Sequence, residues 1–371
     1  MKVVNVGDGK GYDILISQTI NFGKEIKPFV KTNAVLVYDY NLPQKAITSI
    51  ETSFGSAGIE YLTLKLDRSG ESVKTFEYYQ EVATKLIEMN TTRKTVLVAV
   101  GGGTVGDFVG FLASSFMRGI PFVQIPTTLL AMVDSSVGGK VAINLGHYKN
   151  CIGAFYQPVC VLIDISFLQT LPKIELVSGY AEVLKYGLIA DENFLQYLLK
   201  NQATFIKFQE GNVLNVVAEE YFEYIVGHSC DIKATVVEQD ERESLGIREI
   251  LNFGHTFAHA FEGLYLGKIP HGIAVGIGMI YACKFSSIDC EYLILHYKSV
   301  GLYYSIMDFC RENDIPCPTA GDILSLMQKD KKNSGNDITL VLLESIGKAK
   351  LQNYNKNIVL EFLNKLCIDK I

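Results

Sequence analysis

The first half of the chain alternates short apolar runs with stretches of helical periodicity. Strand character is strongest over residues 12–17, 34–38, 61–65, 95–100, 122–125 and 159–163, and helical periodicity over 75–89 and 108–116. The runs Val35-Leu36-Val37 and Val96-Leu97-Val98 are apolar on both faces, as in buried parallel strands. Alternating strands and helices predict right-handed crossovers and a largely parallel sheet.

The pattern changes after about residue 172. Helical periodicity then dominates, over residues 174–189, 193–208, 213–237, 255–266, 272–287 and 358–366, and residues 338–343 form one late strand candidate. We therefore predict an α/β domain over residues 1–172, followed by a mostly helical domain over residues 173–371.

Charge and composition exclude several classes of protein. The 371 residues include 34 basic and 40 acidic side chains, a net charge of −6, which argues against a nucleic-acid or anionic-membrane partner. Glycines and Asp107 interrupt the most apolar region, so a membrane span is not expected. The eight cysteines contain no C-x-x-C pair, and the first residues lack the apolar core of a signal peptide. A cytoplasmic location is the expectation.

A glycine-rich turn follows the predicted strand 95–100. Gly101, Gly103 and Gly106 match G-x-G-x-x-G between a strand and a helix, where glycines let the backbone approach a pyrophosphate. The acidic residue expected about 20 positions later is absent, and Asp39, at the end of an earlier strand, is the better ribose candidate. The turn follows about the fourth predicted strand. The pattern favours a nucleotide site of unusual strand order, and a purely structural turn is the alternative.

Several cations have spacing that suits an anionic ligand. Glu182 and Lys185 lie at i, i+3 on one predicted helix face, and the polar, glycine-rich segment 134–140 precedes Lys149. Arg118 closes another predicted helix. An ordinary salt bridge for the pair, and a favourable charge at a helix C-terminus for Arg118, are the alternatives.

Three histidines are concentrated between residues 252 and 271. His255 and His259 at i, i+4 share a helix face and could chelate one metal ion, with His271 or Glu182 as a third ligand. Two histidines and one glutamate form a catalytic zinc shell with an open position. Capping or core histidines are the alternative.

Taken together, six motifs in order resemble the 3-dehydroquinate synthases, sugar phosphate cyclases of the shikimate pathway. They are AVGGGTVGDFVGF, IPTTLLAMVDSSVGGK, KNCIGAFYQP, LPKIELVSGYAEVLKYG, LNFGHTFAHA and HGIAVGIGM, and the resemblance runs from about Tyr12 to the end of the chain. It implies an N-terminal, atypical Rossmann-like parallel-sheet domain that binds NAD, followed by a mostly α-helical metal-binding domain. It also implies a homodimer in which Arg118 reaches across the interface.

The resemblance assigns roles to individual residues. It implies a divalent metal, Zn²⁺ or Co²⁺, held by Glu182, His255 and His271, which makes His259 a substrate neighbour and not a ligand. The implied catalytic residues are Asp134, Lys140, Lys149, Lys185, Asn252 and His259, and the implied substrate-binding residues are Arg118, Asn150, Lys233, Arg248 and Lys332. The implied NAD-binding residues are Asp39, Asn41, Ser69, Gly70, Glu71, Ser72, Val73, Lys74, Gly103, Thr104, Val105, Gly106, Asp107, Thr127, Thr128, Lys140, Lys149, Phe167, Leu168, Gln169 and Thr170.

The implied substrate is a small sugar acid phosphate. 3-Deoxy-D-arabino-heptulosonate 7-phosphate would be oxidised at a secondary alcohol by NAD, lose phosphate by β-elimination, be reduced again and close to 3-dehydroquinate by an intramolecular aldol step. The departing phosphate is implied to act as its own base.

Two features depart from the usual family pattern. Ile273 replaces a common glutamate, and the segment before Arg248 is one residue longer than usual.

Three other functions remain as alternatives. They are a cyclase of the 2-deoxy-scyllo-inosose or valiolone type, a metal-dependent alcohol dehydrogenase, and an inactive NAD-binding sensor. Arg248 and Asn252 together favour the carboxylated substrate.

Overall fold

The computed structural model describes residues 1–7, 11–146, 148–328 and 337–368. Lys332, predicted to bind substrate, lies outside the described residues. The chain forms two compact units, the first made of Met1–Leu171 and Val213–Arg242 and the second of Pro172–Asn212 and Glu243–Ile371. Every helix in the described parts of the chain is too short or too polar to cross a lipid bilayer.

The strands group into one large sheet and two antiparallel pairs. In chain order they are β1 (Lys2–Val6), β2 (Tyr12–Ser17), β3 (Ala34–Tyr38), β4 (Tyr61–Lys65), β5 (Val96–Gly101), β6 (Phe122–Pro126), β7 (Lys140–Leu145), β8 (Tyr148–Phe155), β9 (Cys160–Asp164), β10 (Asp337–Ser345) and β11 (Lys348–Asn355). The sheet of the first unit has the order β1-β2-β9-β6-β5-β3-β4. Only β1 pairs antiparallel in it.

The helices are divided between the two units. They are α1 (Phe22–Ile26), α2 (Gln44–Ser56), α3 (Phe76–Glu88), α4 (Gly103–Ser115), α5 (Lys173–Ile189), α6 (Glu192–Lys200), α7 (Gln202–Gly211), α8 (Val216–Gln239), α9 (His255–Tyr265), α10 (His271–Phe285), α11 (Glu291–Val300), α12 (Ile306–Glu312), α13 (Ala320–Met327) and α14 (Lys356–Ile368). The apolar helix α10 packs against α5, α9 and β10 in the second unit. The predicted fold class is confirmed.

Helix α8 belongs to the first unit although it follows three helices of the second. It packs against β1, β2 and the π-helical turn Ala131–Ser135. Nζ of Lys2 lies 2.6 Å from Oδ2 of Asp231, and the thiol of Cys230 donates to the carbonyl oxygen of Met132 at 3.3 Å. The compact units also change at residue 172, but α8 returns to the first unit. The division of the chain into two continuous domains stays a prediction.

The predicted strand positions in the first half agree with the structure to within about a residue, and two other expectations were wrong. Residues 193–208 are two helices, α6 and α7, which meet at Asn201. The glycine turn follows the fifth strand because β1 was not predicted. Arg118 does end a helical segment, but that segment is the 3-10 turn Phe116–Arg118 beyond α4, and the backbone of Arg118 is left-handed (φ 67°).

Candidate functional site

Three side chains of the second unit form a group suited to a metal ion, and it is the one such group among the described residues. Glu182 lies within α5, while His255 and His271 are the first residues of α9 and α10. One ligand atom of each lies within 4.8 Å of the others. The Nε2 atoms of His255 and His271 are 3.6 and 3.5 Å from Oε1 of Glu182.

Close approach of helix backbones makes this grouping possible. A Cβ atom on Gly272 would lie 1.8 Å from the carbonyl oxygen of Ser178, and one on Gly278 would lie 2.1 Å from that of Gly254. The N–H of Gly272 donates to Oγ of Ser178 at 3.0 Å, so a buried side chain on α5 satisfies one donor at the start of α10. Gly254, with φ +80°, turns the chain into α9. These contacts fix where α9 and α10 begin relative to α5.

The electrostatics of this group are dominated by burial. Glu182 is fully buried and forms an ion pair with Lys185, also buried, one turn further along α5. Burial lowers the pKa of His255 to about 3, against the opposing effect of Glu182, so the ring is neutral at pH 7. Burial also disfavours charge on His271, but Glu182 and Glu262 raise its pKa to about 10. An ion would compete with a proton for His271, because a ligating histidine must offer a lone pair.

The donor set and its spacing fit a divalent transition metal ion. In a tetrahedral shell with bonds of about 2.0–2.1 Å, neighbouring ligand atoms lie roughly 3.3 Å apart. The separations of 3.6 and 3.5 Å between the ring nitrogens and the carboxylate oxygen are close to that value. Two imidazoles and a carboxylate also form the shell of catalytic zinc sites that keep a fourth position open.

The other predicted residues of the second unit lie on neighbouring elements. His259 is exposed, and its ring lies edge-on to that of His255, at 5.6 Å between centroids. The group of side chains with metal-ligand spacing contains His271 and not His259. Arg248 is buried, with Nε 3.9 Å from Oε1 of Glu243. Arg248 and the half-buried Asn252 lie on the 3-10 helix Ile247–Asn252, which packs against α5.

The glycine turn of the first unit lies where the strand order reverses. From β3 the chain continues to β4 on one side, and from β5 it continues to β6 on the other. The crevice between the carboxyl ends of β3 and β5 is therefore a topological switch point, where ligands bind in open α/β sheets. Asp39 directly follows β3, and its Oδ1 accepts from the N–H of Asn41 at 2.8 Å.

The turn itself combines tight packing with available donors. A Cβ on Gly101 would lie 2.8 Å from Cβ of Val105, so packing alone already favours glycine there, and one on Gly106 would lie 2.7 Å from Oε1 at the end of the Gln124 side chain. Gly102, the N-cap residue of α4, has no side chain that could cap the helix. The buried Oγ of Ser135 has no hydrogen-bond partner among the described residues. A helix N-terminus beside a spare hydroxyl fits an anionic group such as the pyrophosphate of NAD.

Four predicted NAD- and substrate-binding residues form a hydrogen-bonded network with one residue that was not predicted, Asn144. Lys74 is 2% exposed, and its Nζ lies 2.6 Å from Oδ2 of Asp107 and also donates to Oδ1 of Asn150. Asn144 donates through Nδ2 to Glu71 at 2.7 Å and accepts at Oδ1 from the N–H of Asn150 at 2.8 Å. Asn144 was not predicted, because it lies on a half-exposed strand outside every recognised motif.

The remaining predicted residues of the first unit are distributed over its loops and hairpin. Nζ of Lys233 on α8 lies 2.7 Å from Oδ1 of Asp134. Lys140 and Lys149 are exposed on β7 and β8, and Arg118 is exposed beyond α4. The other NAD-binding candidates lie near the 3-10 turn Gly70–Val73, in the first turn of α4, after β6 at Thr127 and Thr128, and in the 3-10 helix Ile165–Thr170.

Solved structures share this fold. 2-Deoxy-scyllo-inosose synthase, complexed with carbaglucose-6-phosphate, NAD⁺ and Co²⁺, covers 98% of this chain and 99% of its own with a TM-score of 0.82 and 23% identity. 2-Epi-5-epi-valiolone synthase from Streptomyces hygroscopicus, with NAD⁺ and Zn²⁺ bound, has the same coverage and TM-score at 22% identity. A probable glycerol dehydrogenase from Sinorhizobium meliloti covers 97% of each chain with a TM-score of 0.63 and 16% identity. The fold is thus one that sugar phosphate cyclases share with alcohol dehydrogenases.

Sequence comparison identifies the family among the proteins that share this fold. Residues 65–178 match the 3-dehydroquinate synthase N-terminal family, and residues 179–333 match the C-terminal one. The 3-dehydroquinate synthase of Pelagibacter ubique is 39% identical over 95% of each chain, and that of Bordetella pertussis is 45% identical over 81% of this chain and 80% of its own. The chain belongs to the 3-dehydroquinate synthase family, which confirms the resemblance.

Proposed function

We propose that this chain converts 3-deoxy-D-arabino-heptulosonate 7-phosphate into 3-dehydroquinate and phosphate, as a carbon–oxygen lyase that depends on NAD and a divalent metal ion. The observation that carries the proposal is the grouping of Glu182, His255 and His271 in a member of this family. Support for the cofactors comes from cyclases of the same fold, which were crystallised with NAD⁺ and with Co²⁺ or Zn²⁺.

The residues that would hold these groups lie in different units. Glu182, His255 and His271 would hold the metal ion, while the start of α4 and Asp39 would hold NAD. When bound, NAD supplies hydride transfer and the metal ion supplies Lewis-acid polarisation of an alcohol oxygen.

The side chains of the second unit would bind and orient the substrate. Lys185 is buried beside Glu182, so its ammonium is held in one place and can donate to a substrate oxygen. Arg248 is buried beside Glu243, and its planar guanidinium suits bidentate binding of the substrate carboxylate. Asn252 and His259 would contact substrate hydroxyl groups.

The cations of the first unit would bind anionic groups of the ligands. Lys140 and Lys149 are exposed on the β7–β8 hairpin, where they can reach a phosphate. Asp134 holds the ammonium of Lys233 at 2.7 Å and so orients it. With a net charge of −6, the chain must bind a doubly anionic substrate through cations that are fixed locally.

We also propose a cytoplasmic homodimer. Seven cysteines among the described residues are free thiols, as expected in a reducing compartment. The family resemblance implies that Arg118 serves the partner's site, and its side chain is exposed. Analytical ultracentrifugation checks the dimer, and a monomer at micromolar concentration contradicts it.

One assay tests the activity. Purified protein is incubated with NAD, Zn²⁺ or Co²⁺, and one of three sugar phosphates: the keto acid phosphate, glucose 6-phosphate or sedoheptulose 7-phosphate. Phosphate release from the keto acid alone, without net formation of NADH, is the expected result. Accumulation of NADH indicates an alcohol dehydrogenase, phosphate release from either of the other sugars indicates a sister cyclase, and no turnover rejects an enzyme of this type.

A further inference from the structure

Glu262 on α9 contacts His271, one of the predicted metal ligands. The contact is to Nδ1, whereas Nε2 of the same ring faces Glu182. Oε1 of Glu262 is 3.4 Å from Nδ1 of His271, whereas Nε2 of that ring is 3.5 Å from Oε1 of Glu182. The two nitrogens of His271 therefore face two different carboxylates. The side chains of Glu262 and His271 are 13% and 32% exposed, so water screens the contact only in part.

His255 is oriented in a different way. Its Nδ1 lies 3.2 Å from the carbonyl oxygen of Phe253, and its Nε2 lies 3.6 Å from Glu182. Because a carbonyl oxygen only accepts hydrogen bonds, Nδ1 of His255 carries the proton and Nε2 presents its lone pair to the metal group. The acceptor for His255 is thus backbone, which no substitution removes, while the acceptor for His271 is a side chain.

We infer that Glu262 is a positioning residue for the metal ion: its carboxylate accepts the Nδ1 proton of His271 and holds the ring so that Nε2 binds the ion. This inference rests on the proposed metal-dependent function. Ligating histidines commonly donate their second N–H to a carboxylate or carbonyl group, and loss of that partner weakens metal binding about 10–100-fold.

The sequence contains a weak signal for this role. Glu262 follows His255 by seven residues and so lies on the same face of α9, two turns further on. Glu262 was not among the predicted site residues, because the spacing does not show that α10 begins beside this face. The helix pair α9 and α10 creates the contact.

The test measures metal binding without turnover. Metal-stripped wild type, Glu262→Gln and Glu262→Ala are each titrated with Zn²⁺ in competition with a chromophoric chelator, in the absence of NAD and substrate. We expect affinity to fall about 10–100-fold in Glu262→Ala and by less in Glu262→Gln, whose amide oxygen still accepts a hydrogen bond. The visible absorption of the Co²⁺-loaded variants should also change, because the ring of His271 is reoriented.

Glu312→Gln is the matched control. Glu312 lies on α12 of the same unit and accepts from the hydroxyl of Tyr303 at 2.9 Å, so its loss should leave Zn²⁺ affinity unchanged. Wild-type affinity and an unchanged Co²⁺ spectrum in both Glu262 variants overturn the inference. If Glu262→Ala fails to fold by circular dichroism, Glu262→Gln decides. A wild type that binds no Zn²⁺ overturns instead the proposed metal-dependent function.

Discussion

Each unit buries a lysine beside a carboxylate, but the two pairs are built differently. Lys74 and Asp107 lie 33 residues apart, and Asn150 also accepts a hydrogen bond from the lysine. Glu182 and Lys185 lie one turn apart on α5. In the first pair the side chains are 2% and 21% exposed, whereas in the second Lys185 is 1% and Glu182 0% exposed.

The difference in burial between the two lysine–carboxylate pairs indicates a different role for each pair. Burying a charge is costly, and an ion pair offsets that cost only when geometry and further hydrogen bonds are good. The pair of the first unit belongs to a hydrogen-bonded network with Asn150 and retains partial access to water. The pair of the second unit places an ammonium beside a fully buried carboxylate that also lies next to two imidazoles, the donor set of a metal site.

The largest effect is expected from cutting the second pair. In metal-free protein, Lys185→Met should lower the free energy of unfolding by about 3–5 kcal/mol, because the ammonium beside a fully buried carboxylate is removed. Saturating Zn²⁺ should restore part of this loss, because the ion supplies positive charge at Glu182. Urea unfolding followed by circular dichroism, with and without Zn²⁺, measures both effects.

Lys348→Met is the control for this measurement. Lys348 forms an exposed pair with Glu344, at 2.7 Å between Nζ and Oε2, so its loss should leave the unfolding midpoint unchanged. An equally stable Lys185→Met protein would show that Glu182 does not depend on this lysine.

A smaller loss is expected from cutting the first pair. Lys74→Met should cost about 3 kcal/mol at neutral pH, near the lower limit for a broken buried pair, because Asp107 keeps some contact with water. Zn²⁺ should not restore it. The double variant Lys74→Met/Asp107→Asn should recover most of the loss, because the carboxylate is then gone as well.

The pH dependence of this loss has a definite sign. Burial raises the pKa of Asp107, and Lys74 works in the opposite direction. A carboxyl group with a raised pKa contributes its stability at low pH and loses it as the pH rises through the folded-state pKa. Without Lys74 that pKa rises further, so the difference from wild type should be smallest below about pH 4 and should grow towards neutral pH. A difference that shrinks with rising pH would contradict this account.

The smallest effect is expected from Asn144→Ala. It removes the hydrogen bonds to Glu71 and Asn150, at 2.7 and 2.8 Å, from a half-buried position, which should cost about 1 kcal/mol of unfolding free energy. NAD affinity, measured by titration calorimetry, should fall severalfold because Glu71 and Asn150 lose the side chain that holds both of them. Asn353→Ala, which loses a bond to Thr339 in the second unit, should bind NAD like wild type. An unchanged NAD affinity in Asn144→Ala would show that the hydrogen bonds of Asn144 to Glu71 and Asn150 do not support NAD binding.

The parallel strands could be predicted because they are buried on both faces and therefore consist almost entirely of apolar residues. β3 and β5 are apolar on both faces, and their predicted bounds differ from the observed ones by at most a residue. The strands β8 and β11 were missed for the opposite reason. Most of their side chains are exposed, so they carry no apolar alternation that a sequence pattern could show.

The break between α6 and α7 could not be predicted, because the apolar pattern continues across it. Phe194, Leu198, Phe205 and Phe208 continue one helical period and are all buried, although the chain turns at Asn201. The same spacing rule that predicted a helix therefore merged two of them.

The sequence alone determined the strand–helix alternation, the glycine turn, the i, i+3 pairing of Glu182 with Lys185 and the family motifs, since these depend on residues close together in the chain. The tertiary structure decided which distant residues meet. It brought His271 and not His259 to Glu182, because glycines let α5, α9 and α10 approach at their backbones. It also added Asn144, Ser178 and Glu262, whose contacts depend on packing between elements and not on any local pattern.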